Sequence, residues 1–375
     1  MVDLARKNLL HDRLRFLITV SGVAFAVMLM FVQVGLFLGL LRNASITIEK
    51  LDADLWITSR NVPNVDFAQP FPEVSLQRVR AIRGVERADN LIVTFMSTAL
   101  PNGAQESMVV YALEDFDAWH LPWEVLQGKA GDLRRGRYMF LDQSAVGRFG
   151  PFQVGDYREV LGTRLKIIGI TRDARSFTTT PLAFMDYDLA QSLDPQNLRG
   201  RTAFTLVKVA PGADVEAVRA EIRKRLPHND VHTAAEWATM SRRYWVESTG
   251  LGLNMVLTIF LGCLVGVVVV AQTLYTATME HLKEFGTVKA IGGSNATIYR
   301  ILGQQATIAA VVGFALGGLL TLALRPALAA VDLNLILPAP LAAWVLVGTV
   351  VLCLAAAMVS FKKVAGIDPA LVFRT

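Results

Sequence analysis

Few residues in this chain have the types and spacing that chemistry requires. His228, Asp230 and His232, in the run PHNDVH, bring two imidazoles and a carboxylate close together. A zinc site is built from three or four protein ligands in fixed geometry, and nothing nearby completes this set. The run reads as a polar loop before a strand. Glu114, Asp115 and Asp117 form a small acidic group that reads as a solvated turn. The sequence has no GxxxxGK[ST], so ATP is not held here by a P-loop, and it has no HExxH, CxxC or GxSxG.

The elements around these residues explain the scarcity. The chain has 375 residues, 53% of them hydrophobic, and a mean hydropathy of +0.41. The apolar excess is concentrated in four runs without any Asp, Glu, Lys, Arg or His: Phe16–Leu41, Ser248–Met279, Ile301–Leu324 and Leu333–Phe361. A helix needs about 20 apolar residues to cross hydrocarbon. Each run exceeds that, which predicts four transmembrane helices. With no ionisable group inside the runs, a proton relay, an ion-coupled transporter or an intramembrane protease lacks its usual residues.

Arg6, Lys7, Arg13 and Arg15 precede the first run, as in a signal peptide. The run itself is roughly twice the length of a typical signal-peptide core, and no A-x-A-like site follows, so it is expected to remain as an anchor. Lys and Arg in short loops set orientation. Four lie in the N-terminal stretch, three between residues 280 and 300 (Lys283, Lys289, Arg300) and three after Phe361 (Lys362, Lys363, Arg374), against Arg325 alone after the third run. Both termini and the 280–300 loop are therefore expected in the cytoplasm. The formal net charge of +5 reflects these inner segments and calls for no nucleic acid.

The predicted layout is a cytoplasmic amphipathic segment 1–15, spans at 16–41, 248–279, 301–324 and 341–361, and a large extracytoplasmic domain at 42–247. A coupling loop at 280–300, a short outer loop at 325–340 and a cytoplasmic tail at 362–375 complete it. The fold class is membrane α-helical with an α+β domain inserted between helices 1 and 2. Strands are expected at Leu55–Thr58, Leu91–Leu100, Met108–Leu113, Leu165–Thr171 and Phe204–Val209, where β-branched and aromatic runs end at turn residues. Ser75 and Asp214 are placed to cap two helices, the first burying Leu76, Val79 and Ile82, the second Val215, Val218, Ile222 and Leu226 before Pro227. A strand-rich middle, roughly residues 131–200, suggests a second subdomain inserted into the first. Cys263 and Cys353 both fall inside spans, so the outer domain has no disulfide. At about 48 Å, the second run is longer than the ~30 Å hydrocarbon core and is expected to protrude as part of a stalk. Gly35 and Gly39, Gly262 and Gly266, and Gly313 and Gly317 are small residues four apart that allow close helix approach.

The segment EHLKEFGTVKAIGG, from Glu280, is the most pointed feature. Leu282, Phe285, Val288 and Ile291 recur every three residues, Gly292 and Gly293 stop the helix, and Ser294 can cap the next. Such a short helix with an apolar stripe can lie on lipid, pack on a span or insert into a groove of a cytoplasmic partner.

These residues resemble the MacB/FtsX-like permeases of ABC transporters, and within them the DevC-type subunits that lack a fused ATPase. The opening LARKNLLHDRLRFLITVSGVAFAV, the runs ADLWITSR, RYMFLDQSAVGRFG and LKIIGITRD, the segment EFGTVKAIGGSNATIYRIL and the tail DPALVFR carry the resemblance over nearly the whole length. It implies a homodimer or paired permease docked on two cytoplasmic ABC ATPase subunits, with ATP and Mg bound there and no cofactor or catalytic residue in this chain. It places Glu284, Phe285, Gly286, Lys289, Ala290, Ile291 and Gly292 in the loop that couples to the ATPase, a segment completed by Glu280, His281, Leu282 and Val288. His281 stands where the family often has Arg, and Gln305 where it often has Glu. The implied mechanism is mechanical transmission in the bacterial inner membrane, working with a periplasmic membrane-fusion protein and a TolC-like outer-membrane channel on a lipid-like or peptide substrate. The alternatives are an FtsX-like regulator of cell-wall hydrolases and a lipoprotein-releasing permease.

Overall fold

The computed structural model describes residues 13–178, 180–280, 295–330 and 333–365. The principal helices, in chain order, are α1 (Arg13–Asn43), α2 (Ile46–Lys50), α3 (Ser75–Arg80), α4 (Tyr187–Leu193), α5 (Val215–Arg225), α6 (Ala234–Glu247), α7 (Leu251–Glu280), α8 (Asn295–Ala330) and α9 (Ala339–Ala365). The strands are β1 (Leu55–Ser59), β2 (Phe71–Pro72), β3 (Val85–Ala99), β4 (Gln105–Leu113), β5 (Val125–Gln127), β6 (Tyr138–Asp142), β7 (Tyr157–Val160), β8 (Thr163–Thr171), β9 (Leu182–Asp186), β10 (Arg201–Thr202), β11 (Phe204–Val209) and β12 (Asn229–Thr233). The chain divides into two compact units, Met1–Leu38 with Leu253–Thr375, and Gly39–Gly252.

In the first unit, four helices among the described residues, α1, α7, α8 and α9, are long and apolar enough to cross a membrane. α1 is the hub. A Cβ on Gly313 or Gly317 of α8 would lie 2.5 Å from Val23 Cγ1 or 2.6 Å from the Ala24 carbonyl oxygen. A Cβ on Gly266 of α7 would lie 2.8 Å from Ala26 Cβ. These glycines are where small residues let helix backbones close up in an apolar medium. Gly262 sits farther off, 3.9 Å from Leu29 Cβ. Phe31 meets Phe314 at 5.7 Å between ring centroids.

The helix bounds differ from the uncharged runs. α8 continues through Arg325 and Pro326 to Ala330, and prolines are tolerated within membrane-spanning helices. Residues 333–338 have no regular secondary structure and run beside α1, where the Ile336 N–H donates to the Gly35 carbonyl at 3.1 Å. At the start of the second run, Ser248–Gly250 stand outside helix, between α6 and α7, and Gly250 has φ +72°.

The second unit is built on a ten-stranded mixed sheet in the order β12-β1-β11-β3-β4-β9-β6-β8-β5, with β7 joined to β3 and β8. Pairing is parallel for β4 with β9 and for β6 with β8. Met108–Leu113 of β4 is buried at every position, the signature of a strand covered on both faces. Val109, Tyr111 and Leu113 point into a cluster shared with Trp56, Phe140, Phe184 and Phe204. Met108, Val110 and Ala112 point into another with Met139, Leu141, Ala183 and Met185. Leu55, Ile57 and Val207 instead meet Leu76, Val79, Val218 and Ile222 of α3 and α5. One face thus carries a single cluster and the other carries two. Residues 131–200, expected as an inserted subdomain, contribute strands to the same sheet, and the 15-residue β3 runs through both halves.

Asp214 caps α5, accepting from the Glu216 N–H at 3.0 Å. Ser75 does not cap α3 with its side chain. It is the first residue of that helix, and its hydroxyl donates to the Pro72 carbonyl at 3.0 Å.

Candidate coupling site

Of the predicted coupling residues, Glu280 is the last residue of α7. His281, Leu282, Glu284, Phe285, Gly286, Val288, Lys289, Ala290, Ile291 and Gly292 lie outside the described residues. What the structure does describe is the pair of helices that hold this segment, α7 before it and α8 after it. Gln305, three turns into α8, is buried.

At the other end of α7 the chain leaves the second unit through α6, and α1 runs into the same unit through α2. Here the two chain segments are locked together. The Ser241 hydroxyl of α6 donates to the Ala44 carbonyl at 2.7 Å. The Arg242 guanidinium donates to Ser45 Oγ at 2.9 Å and pairs with Glu49, while Ser45 Oγ donates to Glu49 at 3.0 Å. Ile46 and Ile48 of α2 and Trp237 and Ala238 of α6 join the same hydrophobic cluster. Buried side chains of this size contribute roughly 1.5–3 kcal/mol each, so apolar contact dominates and the polar bonds set the register.

The loop between β8 and β9 reinforces this lock. Phe177 lies flat on Trp245 of α6, and both pack with Ala44, Leu40 and Leu41. Asp142 fixes the start of the loop by accepting from Ser144 N–H, Thr171 Oγ1 and Ala174 N–H, each at 2.9 Å. Burial raises the Asp142 pKa, and these donors pull against the rise. Asp66 is also buried and accepts from the Phe177 N–H. Desolvation pushes its pKa up to about 7.

α6 itself escaped the sequence reading, although a signal for it was present. Thr233 and Glu236 form a capping box: the Thr233 hydroxyl accepts from the Glu236 N–H at 3.2 Å, and Glu236 accepts from the Thr233 N–H at 3.1 Å. Arg219 of α5 clamps the same carboxylate with bonds of 3.0 and 2.6 Å.

Asp230, His232 and Asp115 have structural partners. Asp230 accepts from the Asn61 N–H at 2.9 Å, and His232 stacks on Trp237 with ring centroids 5.2 Å apart. Asp115 accepts from the Ala118 N–H at 3.1 Å. Glu114 is not simply part of a solvated turn. It lines a cleft of about 430 Å³ with Arg80, Arg87 and Arg134, and burial, then Asp89, raises its pKa.

These features define a four-span membrane protein with a mixed-sheet domain inserted after its first helix. Residues 16–225 match the family model of the MacB-like periplasmic core domain, and residues 256–369 match that of the FtsX-like permease C-terminal domain. The chain belongs to the MacB/FtsX-like family of ABC transporter permeases. An uncharacterised ABC transporter permease of Mycobacterium tuberculosis is 24% identical over 368 residues, covering 96% of this chain and 95% of its own. Another from Methanocaldococcus jannaschii is 22% identical over 345 residues, covering 85% and 83%. Among solved structures, the periplasmic region of MacB from Actinobacillus actinomycetemcomitans aligns at TM-score 0.39 and 11% identity, over 50% of this chain and 92% of that one. The extracellular domain of the noncanonic ABC-type transporter YknZ from Gram-positive bacteria aligns at TM-score 0.37 and 13% identity, over 48% and 98%.

Proposed function

We propose that this chain is the permease subunit of an ABC exporter and transmits ATP-driven motion from cytoplasmic ATPase subunits to its inserted domain. One observation carries the reading. α7 is a continuous helix of 30 residues from Leu251 to Glu280. One end adjoins the proposed coupling residues, and the other is separated from the α2–α6 lock by Ser248–Gly250 alone. A displacement of residues 280–292 would pass along a stiff rod into the base of the inserted domain. The lock would carry α1 with it.

In this reading the chain sits in the bacterial inner membrane with both termini cytoplasmic. It pairs with a second permease copy and two ATPase subunits, which bind ATP and Mg. A periplasmic membrane-fusion protein and a TolC-like channel receive a lipid-like or peptide substrate. The apolar side chains Phe285 and Ile291 seat in the ATPase, and Glu284 and Lys289 orient the contact.

Affinity purification from the native host in mild detergent, followed by mass spectrometry, tests this. Wild type should recover a P-loop ATPase and a fusion protein, and the Phe285→Asp, Ile291→Asp double variant should lose the ATPase. If wild type recovers no ATPase, the exporter reading fails.

A further inference from the structure

The aromatic corner at the base of the inserted domain has an exposed tip. Phe67 stands 43% exposed, 6.1 Å from Tyr244 and 5.8 Å from Trp245 between ring centroids. It is not a loose loop residue. Buried Asn64 accepts from the backbone N–H groups of both Asp66 and Phe67 at 2.9 Å, and so fixes the turn that presents the ring. Met240 lies four residues before Tyr244 on α6 and is 38% exposed.

The chain itself dictates what surrounds this corner. The apolar stretch of α1 runs from Phe16 to Asn43. Its 28 residues make about 42 Å of helix, and a bilayer with its headgroups is ~40–45 Å thick. The last turn of α1 therefore reaches the headgroup layer. Leu40 and Leu41 in that turn pack with Trp245 and Tyr244, and Phe67 packs on Trp245. On the far side of Trp245, the next apolar span begins at Leu251. Trp and Tyr rings near span ends are the groups that settle at a membrane–water interface, and Phe67 packs against both Tyr244 and Trp245. Arg42, exposed in the same last turn, supplies a cation for lipid phosphate.

We propose that Phe67, Tyr244 and Met240 form a lipid-contact surface that beds the base of the inserted domain into the phospholipid headgroup layer. A rigidly presented aromatic ring would fix the height of the domain above the bilayer through side chains outside the spans. This inference needs the chain to span a membrane and is independent of the exporter reading.

The test uses the full chain with Cys263→Ser and Cys353→Ala, bearing a nitroxide at Phe67→Cys, in vesicles of phosphatidylethanolamine and phosphatidylglycerol. Accessibility to oxygen and to a water-soluble nickel chelate is compared with labels at Asn102→Cys, on an exposed hairpin tip, and at Leu253→Cys, in the second span. The expected oxygen-to-nickel ratio at Phe67 is several-fold above that at Asn102 and approaches that at Leu253. A ratio equal to that at Asn102 overturns the proposal. So does protection from both reagents, which would place a second copy of the chain on the ring. Met240→Cys repeats the measurement on α6 and must agree, which guards against a local rearrangement of the Phe67 turn.

Discussion

Phe177 and Trp245 stack face to face, with ring centroids 3.9 Å apart and planes 10° from parallel. Phe177 belongs to the loop between β8 and β9, and Trp245 to the helix that leads into the second span. The stack therefore ties the sheet to the base of the domain. Trp245 Nε1 has no hydrogen-bond partner among the described residues, so the indole contributes through apolar contact alone.

Trp245→Ala should cost about 3–5 kcal/mol, the range for removing a buried indole. At ~2–4 °C per kcal/mol for a domain of this size, the thermal midpoint of the detergent-purified chain should fall by roughly 6 °C or more. Trp245→Phe keeps most of the stack and should cost less than half as much. A normal midpoint for Trp245→Ala would mean that the loop is held by Asp142 and its donors instead.

The close approach of residues 333–338 to α1 depends on Gly35. A Cβ there would stand 2.7 Å from Leu335 Cδ1 and 3.1 Å from the Ile336 carbonyl oxygen. The first neighbour is the end of a flexible side chain and can move, but the second is backbone. Gly35→Ala should therefore be mildly destabilising and partly rescued by Leu335→Ala. Gly35→Val should lower the temperature at which the detergent complex loses its monodisperse peak on size exclusion, with no rescue by Leu335→Ala. Equal tolerance of alanine and valine would show that the segment is not held against α1.

How far the sequence revealed these features follows from the physics of each element. The spans were legible because an uncharged run longer than a bilayer has few other uses. β11 was legible at Phe204–Val209 because its ends coincide with turn residues. The early part of β3, Val85–Asn90, was not, since Glu86, Arg87, Asp89 and Asn90 break the apolar pattern. They are accommodated because Asp89 binds Arg80 and Trp119 Nε1, and Asn90 accepts from Thr205 Oγ1 at 2.9 Å. Such partners are distant in sequence and leave no periodicity. The α2–α6 lock was hidden for the same reason, since Ser241 and Ala44 are 197 positions apart. For the coupling segment, the apolar stripe was legible, but the structure describes only the helices that flank it.

Asp66 carries the last prediction. Its carboxyl is buried, accepts from the Phe177 N–H, and faces Tyr111, whose own pKa is raised by burial and by the Asp66 charge. With the folded pKa near 7 against an ordinary 3.8, the folded state keeps a proton that the unfolded chain releases between those values. Stability should therefore be highest at about pH 4, fall by up to ~1.4 kcal/mol per pH unit as pH rises toward 7, and level off above it. Asp66→Asn preserves the acceptor for Phe177 and removes the titration. Thermal midpoints of the purified chain between pH 4 and pH 8 should decline more steeply for wild type than for the variant, in which Asp142 and Glu114, also raised by burial, still titrate. Parallel slopes in the two proteins would assign the pH dependence to other groups and leave Asp66 ionised in its pocket.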